Sequence, residues 1–287
     1  MHAQKTRLYH DVQFLTELRP FRNYRNTAIL ATTCSYIRQA FKKAGLEVEE
    51  QKWKVNGVEY TNVIGVYNKG KAKRLIVGAH YDVCGDQPGA DDNASAVAGL
   101  LESVRLIGEH RPKLDYRIDF VAYCLEEPPF FGTEAMGSYV HAKSLHDKKV
   151  DVMGMICFEM IGYFSDKPNS QPFPDPAMAK LFPHTANFII VVGIQRYAAF
   201  TEKVKKRMAE KAKIDVQMIH FPDASGLAGL SDHRNYWSFG YPALMINDTS
   251  FIRNTNYHKA SDTIDTLDFD KMTEVVNGAY AAIVGMG

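Results

Sequence analysis

Short apolar runs alternate with segments of helical periodicity along most of the chain. Residues 7–18 and 25–44 have the composition and spacing of two helices, and Gly45 is placed to end the second. The predicted strands that follow are TNVIGVYN, RLIVGAHYD, RIDFVAYCL, VMGMICFEMIG, NFIIVVGI, VQMIHF and YPALMIND. The predicted helices between and after them cover about residues 94–108, 134–145 and 197–213 and the segment from Asp268.

This alternation predicts the fold class. Continuous apolar strands that alternate with helices are typical of α/β proteins whose sheet is covered on both faces. We expect a central, mixed, mostly parallel sheet flanked by helices. The segment KPNSQPFPDP predicts a surface loop, because the alternation resumes after it. The prediction is a single domain over residues 1–287, with residues 1–50 as an N-terminal helical segment packed on it.

Composition and charge narrow the possible partners. Hydrophobic residues make up 46% of the chain and charged residues 23%, as in ordinary globular proteins. A net charge of +1 gives no global field that would attract nucleic acid or an anionic membrane. No apolar run reaches the roughly 18 residues that span a bilayer, and MHAQKTRLYH lacks the apolar core of a signal peptide. We expect a soluble protein without nucleic-acid or membrane partners; a periplasmic or secreted location stays open if a leader was removed.

The four cysteines do not indicate a chemistry of their own. Cys34, Cys84, Cys124 and Cys157 form neither a disulfide-dense pattern nor a paired Cys-x-x-Cys metal motif. Cys124 and Cys157 lie inside strand-like runs and are predicted to be small buried thiols.

Acidic side chains and histidines follow the predicted strands. Ligands bind outside the carboxyl ends of the strands in sheets of this kind, so residues found there are candidates for a site. At strand ends stand His80, Asp82, Glu126, Glu127, Glu159 and Asp248, and loops add Asp91, Asp92, Asp232, His233 and His258. Taken singly, each has an ordinary explanation, such as a helix N-cap or a turn. Gathered at one sheet edge, the carboxylates would repel one another unless a cation compensates them.

The residue types indicate which cation. Carboxylates and imidazoles without clustered thiolates are the ligands of catalytic zinc or a similar divalent metal. Two metals about 3.5–4 Å apart require a bridging carboxylate, which the loop ADDNAS can supply. Of the adjacent Glu126 and Glu127, one can bind metal while its neighbour acts as a general base. Pro128 and Pro129 then fix the exit of that loop.

Five segments in order resemble a known family. The sequences HYD, GADDNAS, the Glu pair, MICFEMIG and YHKASDT are similar in order and approximate spacing to the co-catalytic di-zinc aminopeptidases, whose relatives include glutamate carboxypeptidase and glutaminyl cyclase. The resemblance covers residues from about 60 to the C-terminus. It implies the zinc-exopeptidase fold, which is phosphorylase/hydrolase-like, and an enzyme that acts on peptides with a free N-terminus. The sequence shows no obvious inserted apical or dimerisation domain, which predicts a monomer.

The resemblance also implies two divalent metal ions, zinc in this family. One ion would be held by Asp92, Glu127 and His258, and the second by His80, Asp92 and Glu159, with Asp92 bridging them. Glu126 would be the catalytic base and acid. Asp82 would orient His80 through the other ring nitrogen. Family members often have a cis peptide after the bridging aspartate, here Asp92-Asn93.

Other positions are candidates for substrate binding. Asp232 in SDHRNYW resembles an acidic element of the family, and Tyr257 and Tyr163 are candidate oxyanion donors. The Glu pair is followed by PPFFGTEAMGS in place of the usual short link, which predicts a reshaped pocket. The aromatic residues expected near this pocket, which favour hydrophobic N-terminal residues as substrate, are Phe130, Phe131, Phe164, Tyr236 and Trp237. Glu159 stands where many members have aspartate.

The leading hypothesis is therefore a zinc-dependent aminopeptidase. The first alternative is a glutaminyl cyclase, which would use a single zinc on Asp92, Glu127 and His258 to cyclise N-terminal glutamine. The second is a non-catalytic binding module, since some relatives have this fold but have lost the metal ligands. The complete second ligand set, which includes His80 and Glu159, favours the peptidase.

Overall fold

The strands of the protein form one sheet. The computed structural model describes residues 2–287. Within this range, eight strands lie in the order β1-β2-β4-β3-β5-β8-β6-β7. Their bounds are β1 (Glu47–Val55), β2 (Val58–Tyr67), β3 (Arg74–His80), β4 (Arg117–Tyr123), β5 (Val152–Glu159), β6 (Phe188–Ile194), β7 (Asp215–Phe221) and β8 (Ala243–Asn247).

The middle of the sheet is parallel and the sides are mixed. β4, β3, β5 and β8 run parallel to one another, so their carboxyl ends lie along one edge. β1 pairs with β2 and β2 with β4 in antiparallel fashion; β6 is antiparallel to β8 and parallel to β7. The predicted mixed, mostly parallel α/β sheet is confirmed.

Helices cover both faces. In residues 2–287 they are α1 (Lys5–Glu17), α2 (Thr27–Lys43), α3 (Ala96–His110), α4 (Gly137–Asp147), α5 (Pro176–Ala179), α6 (Ala198–Ala209), α7 (His233–Ser238) and α8 (Phe269–Val284). Successive residues of a strand point to opposite faces. Accordingly, Phe120 packs in the core under α1, α2, α3, α6 and α8, whereas Val121 packs in the second core under α4 and α7.

The N-terminal helices are attached to this core. The main-chain amides of Ala3 and Gln4 donate hydrogen bonds to Asn277 of α8 and Glu102 of α3, each of 2.8 Å. Gly45 follows the end of α2 with a φ of 81°, as predicted. The amide of Leu46 donates a hydrogen bond to the carbonyl of Phe41. The boundary proposed at residue 50 stays a prediction. No helix within residues 2–287 is long and apolar enough to cross a membrane.

One strand was missed from the sequence. β1, with the sequence EVEEQKWKV, is partly or fully exposed along its whole length because it lies at the edge of the sheet. Its polar residues gave no apolar run to recognise. The predicted loop at residues 167–176 is a loop, and the short α5 begins at its last residue.

Candidate metal centre and substrate cavity

The carboxyl ends of three parallel strands bring the candidate ligands together. His80 is the last residue of β3, Glu159 is the last residue of β5, and Glu126 and Glu127 follow β4. The turn Ala90–Ser95, which precedes α3, brings Asp92 to the same edge. All five side chains are buried there.

The two oxygens of Asp92 face two different imidazoles. Oδ1 lies 3.5 Å from Nε2 of His80, and Oδ2 lies 3.0 Å from Nε2 of His258. A Glu127 oxygen, Oε2, lies 3.2 Å from the same His258 nitrogen. This arrangement matches the one expected of a carboxylate that bridges two cations. The peptide Asp92-Asn93 is cis, as the resemblance implied.

The His80 side of the centre has its own carboxylates. Glu159 Oε2 lies 3.3 Å and Glu126 Oε2 lies 3.7 Å from His80 Nε2. Ligand atoms of His80, Glu126 and Glu159 lie within 4.8 Å of one another, as do those of His80, Asp92 and Glu127. These distances place Glu126, the candidate base, beside the candidate ligands.

Three residues of the centre or next to it have left-handed backbone conformations. Leu125, which precedes the Glu pair, has a φ of 64°, Met160 after Glu159 has 47°, and His258 itself has 56°. Such values are uncommon for residues with a Cβ and occur preferentially at functional sites. The sharp turn at Leu125 ends β4 and directs both glutamates into the centre.

Asp82 positions the Glu pair through the main chain. Its two carboxylate oxygens accept hydrogen bonds of 3.2 Å each from the amides of Glu126 and Glu127. Its Oδ1 lies 3.6 Å from Nδ1 of His80, which is longer than a hydrogen bond. The geometry therefore assigns Asp82 firm contacts to the glutamates, and its predicted role in orienting His80 stays a prediction.

Several supporting residues were not recognised in the sequence. Ser231 donates a hydrogen bond of 2.6 Å to Oε2 of Glu159, and the Asn93 side-chain amide donates one of 3.3 Å to the same oxygen. Asp262 accepts the amide hydrogens of Asp91 and Asp92 at 2.9 and 3.1 Å. Serine and asparagine have no distinctive spacing in sequence, so a motif search has no signal for them.

Asp91 and Asp248 support the loops. The carboxylate of Asp91 accepts hydrogen bonds from the amide of Gly162 at 3.0 Å and from the side chain of Asn254 at 2.8 Å. Asp248 accepts from the amides of Tyr163 and Ser250, each at 2.9 Å. Both carboxylates therefore hold loop segments near the centre through hydrogen bonds.

The centre is strongly acidic. Burial, with the charge of Asp92 next, raises the pKa of Glu127 to about 8. Burial also raises the pKa of Glu126 well above its usual range. Burial alone would lower the pKa of His258, but contacts with Asp92 and Glu127 outweigh it and raise that pKa to about 10. These shifts favour the protonated forms of Glu126, Glu127 and His258, as is usual where several carboxylates share one buried site.

The arrangement of the candidate ligand atoms suits a divalent cation better than hydrogen bonding among themselves. Nε2 of His258 approaches two carboxylates, yet neither it nor Oε1 of Glu127 makes a hydrogen bond with any described residue. Buried polar atoms are normally satisfied, so such atoms call for an ion or a ligand. A further cluster joins the sulfur of Cys84 to ligand atoms of Glu127 and His258. No motif indicated it.

A cavity opens on the centre. Its volume is about 170 Å³, and Asp92, Glu126, Glu127, Glu159 and His258 line one end. The opposite wall is apolar, with Ile190 and Val192 from β6, Ile219 and Phe221 from β7 and Met245 from β8. The cavity therefore joins an ionic end to an apolar one.

The structure brings only some of the predicted substrate residues to this cavity. Tyr257 lines it and stacks on His258, with ring centroids 3.7 Å apart. Tyr163 and Asp232 are absent from its wall, as judged over residues 2–287. Asp232 is fully buried, which raises the pKa of its carboxyl group to about 7.

The prediction that five aromatic residues line the pocket is wrong for four of them. Of the five aromatic residues, Phe131 lines the cavity; the other four do not. Phe130 packs against Tyr24 and Tyr60, while Tyr236 and Trp237 belong to the core under α7. Their nearness to the motifs in sequence did not place them at the site, because helix and loop packing turned them inward.

The fold and this site define an α/β protein with a carboxylate and imidazole centre at the carboxyl edge of its mixed, mostly parallel sheet. Residues 62–283 match Peptidase family M28, and the chain belongs to that family. The resemblance to peptidases that the five motifs carry is thereby confirmed.

Two relatives illustrate the family. The chain is 40% identical over 290 residues to a protein of Escherichia coli (strain K12) described as uncharacterized protein YfbL, an alignment that covers 98% of this chain and 88% of that protein. It is 24% identical over 306 residues to a "Probable leucine aminopeptidase" of Trichophyton verrucosum (strain HKI 0517), covering 100% of this chain and 74% of that one.

Solved structures share the fold. LapB from Legionella pneumophila superposes with a TM-score of 0.79 at 23% identity, over 99% of this chain and 72% of LapB. A glutaminyl cyclase from Bacteroides thetaiotaomicron superposes with a TM-score of 0.74 at 19% identity, over 99% and 98%. At these identities the likeness establishes the fold and leaves the reaction to the site.

Proposed function

We propose that the protein is a metal-dependent aminopeptidase that removes apolar residues from the N-terminus of peptides. The observation that carries this proposal is Asp92, whose two oxygens face His80 and His258 at one end of the cavity. Membership of a peptidase family and the leucine aminopeptidase relative support it.

Two clusters would hold the metal ions. Asp92, Glu127 and His258 form one ligand set, and His80, Asp92 and Glu159 form the other. Zinc is the proposed cation because the set combines carboxylates with imidazoles. Divalent cations held there would polarise the carbonyl of the scissile peptide bond and make water more acidic.

Glu126 would move the proton. It lines the cavity beside His80 and is not needed to complete either ligand set. In the proposed reaction its carboxylate accepts a proton from water and donates it to the leaving amine. Asp82 keeps the Glu126 and Glu127 amides in place during this transfer.

The cavity accounts for substrate orientation. A protonated α-amine is attracted to carboxylates, and Glu126 and Glu159 both line the ionic end. An apolar side chain can then be buried against Ile219 and Met245 at the other end. Tyr257 reaches the cavity next to His258 and is the proposed hydrogen-bond donor to the carbonyl oxygen.

The test compares Glu126→Gln with Glu134→Gln on a panel of aminoacyl-nitroanilides. Glu134 is an exposed glutamate in the loop that follows the same strand, so it is a matched control. We expect Glu126→Gln to keep the parent's metal content and to lose about 100- to 10,000-fold in kcat. Activity equal to that of the parent would reject Glu126 as the base.

The same panel tests the reaction and its specificity. Leucine, methionine and phenylalanine substrates should be cleaved faster than lysine or aspartate substrates, and a preference for charged side chains would contradict the apolar wall. A peptide with N-terminal glutamine is included. Cyclisation of that peptide without hydrolysis of any substrate would replace the aminopeptidase proposal with a glutaminyl cyclase.

A further inference from the structure

The thiol of Cys84 lies beside the metal centre. Its sulfur and one ligand atom each of Glu127 and His258 lie within 4.8 Å of one another. Cys84 is half-buried, whereas Cys34, Cys124 and Cys157 are buried elsewhere in the fold.

The position of Cys84 is fixed by the main chain around it. The amide of Val83 donates a hydrogen bond of 3.2 Å to the carbonyl of Arg22, and the side chain of Asn23 donates one of 2.9 Å to the carbonyl of Gly85. These bonds hold the residues on both sides of Cys84. The thiol therefore stands at a defined place four residues after His80.

A second observation at this place points to a ligand. Oε1 of Glu127 is buried, and no residue in the described part of the chain gives it a hydrogen bond. Nε2 of His258, a residue of the same cluster, also lacks one within residues 2–287 despite a carboxylate oxygen at 3.0 Å. A carboxylate oxygen and an imidazole nitrogen without hydrogen bonds, in two residues beside a thiol, form a donor set for a soft or borderline divalent metal.

We propose that Cys84 is a ligand of the metal ion held by Glu127 and His258. The inference deepens the proposed function, on which it rests for the presence of a metal at this centre. On binding, the S–H bond breaks, a sulfur–metal bond forms, and the proton leaves to the solvent.

The proposal makes the two ends of the centre chemically different. The ion at His258 has a sulfur donor in addition to Asp92 and Glu127, whereas the ion at His80 has oxygen and nitrogen donors. Thiolate favours zinc, cadmium and cobalt over magnesium, calcium and manganese. The His258 end should therefore discriminate between metals more strongly than the His80 end.

The test uses Cd²⁺ with the metal-free full-length chain. Binding to a thiolate produces a charge-transfer absorption in the ultraviolet, seen in the difference spectrum against the metal-free protein, which carboxylate and imidazole ligands do not produce. We compare the parent with Cys84→Ser and with the matched control Cys34→Ser, which removes a thiol away from the centre. Far-ultraviolet circular dichroism of each variant shows that it is folded.

The parent and Cys34→Ser should show the absorption, and Cys84→Ser should lack it. Cys84→Ser should also bind the ion at this end at least about 10-fold more weakly, since loss of even an outer-shell partner costs 10- to 100-fold. Stoichiometric Cd²⁺ binding by the parent without the absorption would overturn the proposal. So would an absorption of full size in Cys84→Ser.

Alkylation of the parent provides a second readout that needs no variant. Iodoacetamide should modify Cys84 in the metal-free protein, and Zn²⁺ should slow that modification by at least about 10-fold, as expected for a thiol held as a ligand. An unchanged rate with zinc bound would overturn the proposal.

Peptide hydrolysis by the zinc-loaded parent separates the two proposals. Hydrolysis without a sulfur–metal absorption leaves the aminopeptidase proposal standing and rejects the Cys84 ligand. The absorption without hydrolysis leaves the Cys84 ligand standing and rejects the aminopeptidase proposal.

Discussion

Arg22 connects the N-terminal segment to the loops of the metal centre. Its guanidinium is buried and donates hydrogen bonds to the carbonyls of Tyr81 at 3.0 Å, Pro88 at 3.0 Å and Gly89 at 3.1 Å. It also donates to the carbonyl of Leu15 at the end of α1. Tyr81 lies between His80 and Asp82, and Gly89 precedes the turn that carries Asp92.

Replacing Arg22 with methionine should therefore reduce both stability and metal binding. A hydrogen bond from a charged donor contributes about 1.5–3 kcal/mol, and the four bonds share one guanidinium, so their contributions are not additive. We expect the free energy of unfolding of the metal-free protein to fall by about 3–5 kcal/mol, because four carbonyls lose their donor and each buried acceptor left unsatisfied costs about 1–3 kcal/mol. Metal affinity should fall as well, because the loops on both sides of the centre lose their support.

Urea unfolding followed by circular dichroism in the presence of a chelator measures the first effect, and a competition titration with a chromophoric chelator measures the second. Arg25→Met is the matched control. The Arg25 side chain is 59% exposed and approaches Asp86 at 3.9 Å. A change in Arg22→Met within about 1 kcal/mol of that in Arg25→Met would refute the reasoning, since surface substitutions cause changes within about 0.5 kcal/mol.

Three further predictions follow from other parts of the molecule. Burial, with the charge of Arg74 next, lowers the pKa of His141 from 6.5 to about 3, so the unfolded chain takes up the proton first and stability falls as pH drops through this window. At pH 4.5 this lowers the free energy of unfolding by about 2–3 kcal/mol. Urea titrations at this pH and at neutral pH should show the loss in the parent and in the exposed control His10→Gln, but not in His141→Gln. Gly78→Ala places a methyl group 2.9 Å from Cζ of the buried Tyr123 and should lower the free energy of unfolding by about 1–3 kcal/mol, whereas an unchanged urea midpoint would show that the ring can move. Zinc at 100 times its dissociation constant should raise the free energy of unfolding by about 2.7 kcal/mol per bound ion, and a chelator should reverse the increase. Calorimetry measures the effect, and an unfolding temperature unchanged by zinc would show that no ion binds.

The sequence predicted what strand ends and apolar runs determine. His80, Glu126, Glu127 and Glu159 could be grouped because parallel strands finish at one edge, and the structure brings them together. Asp92 and His258 came from loops, where the resemblance to a family supplied what periodicity could not. Their metal-binding roles stay predictions.

What the sequence did not reveal depends on tertiary packing. Ser231 and Glu159 are separated by 72 positions, and the sulfur of Cys84 meets His258 from the other half of the chain. The aromatic residues near the motifs were expected at the pocket, but Tyr236 points into the core and hydrogen-bonds Tyr123 at 2.6 Å. Such contacts are decided by how helices and loops pack on the sheet, which no local pattern in these segments shows.

The two imidazoles of the centre differ in their access to solvent. His80 is 1% exposed at the end of a central strand, whereas His258 is 26% exposed on a loop. If the centre holds two cations as proposed, this difference would set an order of exchange. A chelator that approaches through the cavity meets the His258 ion first, and the His80 ion leaves only after the outer shell of the centre has opened. The protein would then pass through a form with one metal ion, at His80, on its way to the metal-free state. The His258 position would be the last to load when metal is scarce and the first at which a competing ion could exchange.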